Sequence, residues 1–340
     1  MKKILIFNFY KGILLRGIPI YTDNLVLALK KDGCEVKQFI CPKFIAKLPR
    51  AIIDIMFVFS EQILVPIIGI LGGYDKVIYP YNSTSILSAL TKKSLIIIHD
   101  FIPNRKIKSA KSISSLYIVI SQRIHAWLKR DVAFVSSTTY RIARNVTWLK
   151  KCDHYLFPNA FYLFESTFNT LRSIEPESDN YVVLISGNGS NKQFETTMGL
   201  WSSLPNQSNA RLKVVGLGAH KIWASKIVDK FHQTNVDILP ILSDKELVQI
   251  IKNSSLMWAH STHEGFGRPV IEGRICGLNV IATNIPAFRE HKDDNVFLYN
   301  TNSFEKIYTS ALLAPCKEEY EIKYHVVLEN EVERWLAKEK

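Results

Sequence analysis

The chain has 340 residues, 47% hydrophobic and 22% charged, with a formal net charge of +12. That length holds about two domains, and the composition is that of an ordinary soluble globular protein with material for two cores. Cys34, Cys41, Cys152, Cys276 and Cys316 lie scattered without metal-ligand spacing, which excludes a cysteine zinc site and fits a reducing compartment.

The opening MKKILIFNFY has too short an apolar stretch for a signal peptide and no small-residue cleavage site, so it reads as a first strand over 4–9. Further strands are expected at 35–40, 75–80, 94–100 and 132–137. A helix from Tyr21 to Lys31, stopped by Gly33, follows the first of them. The longest apolar region, Ala51 to Gly73, is broken by Asp54, Glu61, Gln62 and Pro66. Two carboxylates near its middle make it a buried or membrane-facing helix rather than a transmembrane one. A second set of strands is expected at 181–187, 211–216, 236–240, 256–261 and 279–284. Two successive sets of alternating strands and helices imply two doubly wound α/β domains. The expected division is 1–165, then 181–315 after the polar stretch Glu165–Asn180, then a helical tail over 316–340 that packs back on the first domain. Val332, Trp335 and Leu336 share a face of that tail.

The charge is unevenly placed. Residues 1–165 hold 24 Lys and Arg against 10 Asp and Glu, and the remainder holds 19 against 21. A basic first half suits an anionic partner, nucleic acid or acidic lipid, although a merely solvated lysine-rich surface would look the same. No nucleic-acid-binding motif accompanies the charge, and the basic clusters are not interleaved with stacking aromatics.

The stretch HEGFGRPVIEGRICG, His263 to Gly277, carries the most chemistry. Pro269 suits the first position of a helix and Gly277 its end, so 270–276 is expected to be a short helix entered through Gly265-Phe266-Gly267. Backbone N–H groups at such an end bind phosphate, and glycines let the ligand approach. Glu272 would lie in the first turn, where a carboxylate can accept both hydroxyls of a ribose, while Glu264 precedes the loop. The two glutamates would also serve simply as caps that favour the helix dipole, and the residues alone leave both readings open.

Residues 253–290 resemble the signature of retaining glycosyltransferases of family 4: a glutamate, seven residues, a second glutamate, a Cys/Gly turn, a strand, and an Ile-Pro-Ala loop ending in Arg-Glu. The loop Arg16–Leu29, the segment IIHDFIP (Ile97–Pro103), FPNAF (Phe157–Phe161) and PILSDKELVQII (Pro240–Ile251) resemble further parts of that family in the same order. The resemblance implies the GT-B fold, two Rossmann-like domains facing a central cleft. It also implies transfer of a hexose-type sugar such as mannose or glucose, with retention, from a UDP-, GDP- or similar donor to a lipid-linked saccharide acceptor in the synthesis of O-antigen, capsule or lipopolysaccharide.

By the same resemblance, Gly17, Lys192, Gly265, Phe266, Gly267, Arg268 and Glu272 bind the donor. His99 and Glu264 are catalytic, and Asp100 and Arg105 lie on the acceptor side. No cofactor or metal is expected, and there is no Asp-x-Asp pair. Asn188 stands where the family has a phosphate-binding arginine, so Arg268 would reach in or the helix end and Lys192 would carry the diphosphate. The basic segment Pro103–Lys111 would dock on an anionic membrane, giving a cytoplasmic protein peripheral on the inner face of the cytoplasmic membrane. Another GT-B enzyme, such as an epimerase or a phosphorylase, and a non-catalytic sugar-nucleotide binder are the alternatives, with a nucleic-acid-binding protein behind them.

Overall fold

A computed structural model describes residues 1–11, 13, 17–91, 93–103, 113–173, 180–205, 210–316 and 320–338. The chain forms two compact units, one of residues 1–161 and 323–340 and the other of 162–322.

The first unit is built on a six-stranded sheet of β1 (Lys3–Phe7), β2 (Glu35–Phe39), β3 (Lys76–Tyr79), β4 (Ser94–Ile98), β5 (Asp131–Phe134) and β6 (His154–Leu156). The spatial order is β2-β1-β3-β4-β5-β6, and every pairing is parallel. Helices cover both faces of such a sheet, which is why β3 and β4 are buried along their whole length and are mostly apolar, over 77–79 and 95–98. The helix Lys323–Ala337 belongs to this unit and buries Tyr324, Leu328, Val332 and Trp335. The Trp335 indole N–H reaches Asp131 Oδ2 at 3.0 Å, and Glu331 accepts the Leu156 amide at 2.8 Å.

The second sheet comprises β7 (Tyr181–Ile185), β8 (Arg211–Val215), β9 (Val236–Ile238), β10 (Leu256–Ala259), β11 (Val280–Thr283) and β12 (Val296–Tyr299), ordered β12-β11-β10-β7-β8-β9 and again parallel. Its core gathers Trp201, Trp258, Phe304 and Tyr308 between sheet and helices. A helix spans Tyr162–Leu171, reaching into the stretch read above as linker. Strands β6 and β12 have no counterpart among the sequence expectations: they are three- and four-residue edge strands.

In each unit the chain builds outward from its first strand in one direction and then returns to its other side. The order reverses between β1 and β3 in the first sheet and between β7 and β10 in the second. Beyond the carboxyl ends of such neighbouring strands the connecting loops part, and a ligand crevice opens.

Candidate functional site

The reversal point of the second unit lies beyond the ends of β7 and β10. After β7 the chain turns through Gly187 to Lys192 and enters the helix Phe194–Ser202 from Gln193, whose φ of 42° is left-handed. After β10 it runs from His260 through Glu264 to Gly267. Asn191 ties the two loops together. Its amide nitrogen donates to Ser261 Oγ at 3.2 Å and to the His263 carbonyl at 3.0 Å, and its own carbonyl accepts the Thr262 amide at 2.8 Å. Lys192 and Glu264 are thereby brought together, Nζ to Oε1 at 2.6 Å, with side chains 20% and 18% exposed. Asn188 is exposed on the same turn.

The helix that follows spans Arg268–Ile275, with Gly267 as its N-cap at φ 91°. A Cβ at Gly267 would sit 2.6 Å from the Phe288 ring, so both conformation and space demand glycine. His291 is buried beneath this loop, its Nε2 donating to the Phe266 carbonyl at 2.6 Å and its ring tilted against that of Phe266, centroids 4.6 Å apart. At the other end Gly277 takes φ 78°. Its amide bonds to Arg274 O and that of Leu278 to Gly273 O, the paired bonds of a Schellman stop.

Two expectations need correction. Pro269 is the second helical residue and Arg268 the first. Glu272 therefore stands one turn inside the helix, 1% exposed, where the Arg268 guanidinium donates to its Oε1 from Nε at 3.3 Å and Nη2 at 3.2 Å. Four residues apart on one helix face, acid and base meet each other before they meet a ligand. Arg268 is thus paired with Glu272 in this structure.

The sequence reading overlooked His260 and Ser186, at the ends of β10 and β7. Tyr299 Oη accepts the Trp258 indole N–H at 2.9 Å and lies 2.5 Å from His260 Nδ1. His260 Nε2 is a buried atom without a partner among the described residues, as is Ser186 Oγ. Burial, reinforced by the Lys192 charge, lowers the His260 pKa to about 4 and keeps the ring neutral.

In the first unit His99 follows β4. Its Nε2 lies 2.8 Å from the Pro80 carbonyl, and its backbone amide donates to Asn82 Oδ1 at 2.6 Å. A carbonyl only accepts, so Nε2 carries the hydrogen. Desolvation lowers the pKa to about 4, and the neutral ring keeps an acceptor lone pair on Nδ1. Tyr21 packs edge-on against the imidazole, centroids 4.9 Å apart. Asp100 Oδ1 accepts the Ile102 amide at 2.8 Å, which folds the carboxylate onto its own loop. Gly17 caps the helix Ile18–Lys31 at φ 81°, with nothing within 4 Å of where a Cβ would stand. Arg105 and the basic cluster Lys106, Lys108 and Lys111 lie outside the described residues.

Two parallel six-stranded sheets of this topology, each wrapped in helices, define the GT-B fold. Residues 168–313, the segment bearing the whole second sheet, match the family described as glycosyl transferases group 1. No curated protein matches the chain. Among solved structures, sucrose-phosphate synthase from Thermosynechococcus elongatus is 16% identical, with 99% of this chain and 94% of that one covered and a TM-score of 0.67. WaaG, a glycosyltransferase involved in lipopolysaccharide biosynthesis, is 11% identical over 99% and 95%, with a TM-score of 0.62. HepE of Anabaena, solved in complex with UDP and glucose, is 13% identical over 99% and 95%, with a TM-score of 0.63. At these identities the likeness bears on the fold.

Proposed function

We propose that the protein is a retaining glycosyltransferase that moves a hexose-type sugar from a nucleoside-diphosphate donor to a saccharide acceptor, lipid-linked, in the synthesis of a cell-surface polysaccharide. The observation that carries this reading is the convergence of Lys192, Glu264 and the Gly267-capped helix start at the reversal point of the second sheet. The group 1 match over the same residues supports it. HepE, solved with UDP and glucose, supports a nucleotide-sugar donor.

In the reaction the bond from the anomeric carbon to the diphosphate oxygen breaks, and its electron pair leaves with the nucleotide. The acceptor hydroxyl forms the new bond to that carbon and loses its proton. Negative charge grows on the departing diphosphate, where the Lys192 ammonium and the positive helix end stabilise it without a metal ion. Glu264 faces the sugar, whose ring gains positive character, and holds Lys192 in place. Neutral His99 accepts a sugar hydroxyl at Nδ1, with Asp100 toward the acceptor. Glu272, neutralised by Arg268, takes the ribose hydroxyls only if it exchanges that partner.

The acceptor reading also draws on the helix Arg50–Leu71. It is long and apolar enough to cross a membrane by length and composition, yet only 33% of its most apolar window is buried. We read it as lying on the cytoplasmic leaflet, with the basic first half facing acidic headgroups.

A thermal-shift screen of UDP, GDP and their sugars tests the donor, since a ligand of the folded state raises Tm. The expected result is a shift with one nucleotide that persists in EDTA and shrinks in Glu272→Ala. Absence of any nucleotide response would overturn the reading.

A further inference from the structure

The helix Arg50–Leu71 has two unlike faces. Outward it exposes Ile52, Ile55, Phe59, Ile63, Ile67 and Ile70. Its inner face is shaped by Pro66, which lacks the N–H that a regular helix would send back to Gln62. The helix widens instead into one π turn over Ser60–Leu64, where the Val65 amide bonds to Ser60 O, five residues back. That turn carries Glu61 into the interior, fully buried.

Glu61 and Gln62 together grip the loop that follows β3. Ser83 Oγ donates to Glu61 Oε1 at 2.7 Å, and the Tyr117 hydroxyl donates to Oε2 in a short bond. Gln62 Nε2 donates to Thr84 O at 3.0 Å and to Tyr117 Oη at 2.7 Å, while its Oε1 accepts the Ile86 amide at 3.0 Å. From the far side Gln122 Nε2 donates to Asn82 O at 2.8 Å. The loop so held is the one that fixes His99, through Pro80 O and Asn82 Oδ1. Asn82 sits at φ 63°, in the left-handed region that asparagine enters more readily than other non-glycine residues.

We propose that Glu61 and Gln62 are positioning residues for His99: the π turn fastens the loop 80–86 from one side, and the loop in turn sets the imidazole's tautomer and orientation. The inference rests on the reading of His99 given above. A buried carboxyl is costly, and an apolar side chain would pack an α/β core at no such cost. The titratable groups that face Glu61 are Tyr10, Tyr79 and Tyr117, all neutral, and its hydrogen bonds run to the loop, to Gln62 and to Tyr117. Desolvation raises its pKa to about 7. The arrangement spends stability to hold one loop in one shape.

The test is the imidazole itself, read by nitrogen–proton NMR on the full chain, with His99 assigned by loss of its signals in His99→Gln. In the parent, a single neutral form with hydrogen on Nε2 is expected. Glu61→Ala should turn that into a mixture of tautomers and move the His99 titration up from about 4 towards the ordinary histidine value. Glu61→Gln, which keeps an acceptor for Ser83 or Tyr117, should restore most of the parent signature. Ser83→Ala removes a single hydroxyl and serves if Glu61→Ala does not fold. A folded Glu61→Ala or Ser83→Ala protein with unchanged His99 tautomer and titration would overturn the inference. Nucleotide binding, measured in parallel, should be unchanged in these variants; its absence in the parent would instead count against the proposed function.

Discussion

Lys192 and Glu264 stand 72 residues apart in sequence and 2.6 Å apart in the fold. Partly shielded from water, the pair balances a charge that either residue alone would present to a ligand. A hydrogen bond to a charged group contributes about 1.5–3 kcal/mol. Lys192→Ala should therefore weaken binding of the preferred nucleoside diphosphate by about tenfold or more, and a bare Glu264 carboxylate would add repulsion. Glu264→Gln should bind the nucleotide at least as tightly as the parent, because Lys192 is released towards the diphosphate, while sugar transfer falls. The double variant should lie between the two. Calorimetric titrations arranged as a double-mutant cycle read this directly, and additive effects would show that the two side chains do not share the ligand. Neither residue names its partner in the sequence. Lys192 and Glu264 were each legible as candidates from the loops they occupy, but only the parallel pairing of β7 with β10 makes them neighbours. The Arg268–Glu272 pair is different in kind, since its spacing of four on one helix was legible and outweighed by the attraction of a ribose ligand.

At the scale of elements, legibility follows burial. Strands covered on both faces favour apolar side chains at most positions, so β3, β4 and β7 declare themselves as largely apolar runs. Edge strands face fewer neighbours and are specified by pairing geometry, which a single sequence does not display, and β6 and β12 were accordingly missed. The helix start at Gly267 and its stop at Gly277 were readable because left-handed φ leaves a residue signature. The π turn was not, although Pro66 inside an apolar run was its cause. The terminal helix Lys323–Ala337 was legible from its one apolar face, and it plugs the first unit with Trp335, wholly buried against Phe157 and bonded to Asp131. Trp335→Ala should cost that unit about 3–5 kcal/mol. In calorimetry the transition of the first unit should move to lower temperature while the nucleotide-stabilised transition of the second stays in place. A common shift of both would mean that the helix supports more than the unit it packs in.

For the whole molecule, the distribution of buried histidines predicts unequal response to acid. His99, His125 and His325 in the first unit and His260 in the second all have pKa values lowered to about 4, in each case chiefly by burial. His325 shows the reason in one bond: its Nε2 accepts the Phe161 amide at 3.0 Å, and a proton there would turn an acceptor into a donor facing a donor. Between about pH 6.5 and 4 the unfolded chain binds protons that these rings refuse in the fold, so stability is lost as pH falls through that window. Glu61 works in the opposite sense. With its pKa raised to about 7, the folded state holds a proton that the unfolded chain has released, so its share of stability falls as pH rises from about 4.5 to 7. Three histidines outnumber one glutamate in the first unit, whose excess of basic residues is a further source of self-repulsion. The first unit should therefore melt earlier than the second as the buffer is taken from pH 7 to 5, and Glu61→Gln should widen that gap by removing the opposing term. Scanning calorimetry across this range decides it, and a second unit that fails first on acidification would show that these rings do not control acid stability.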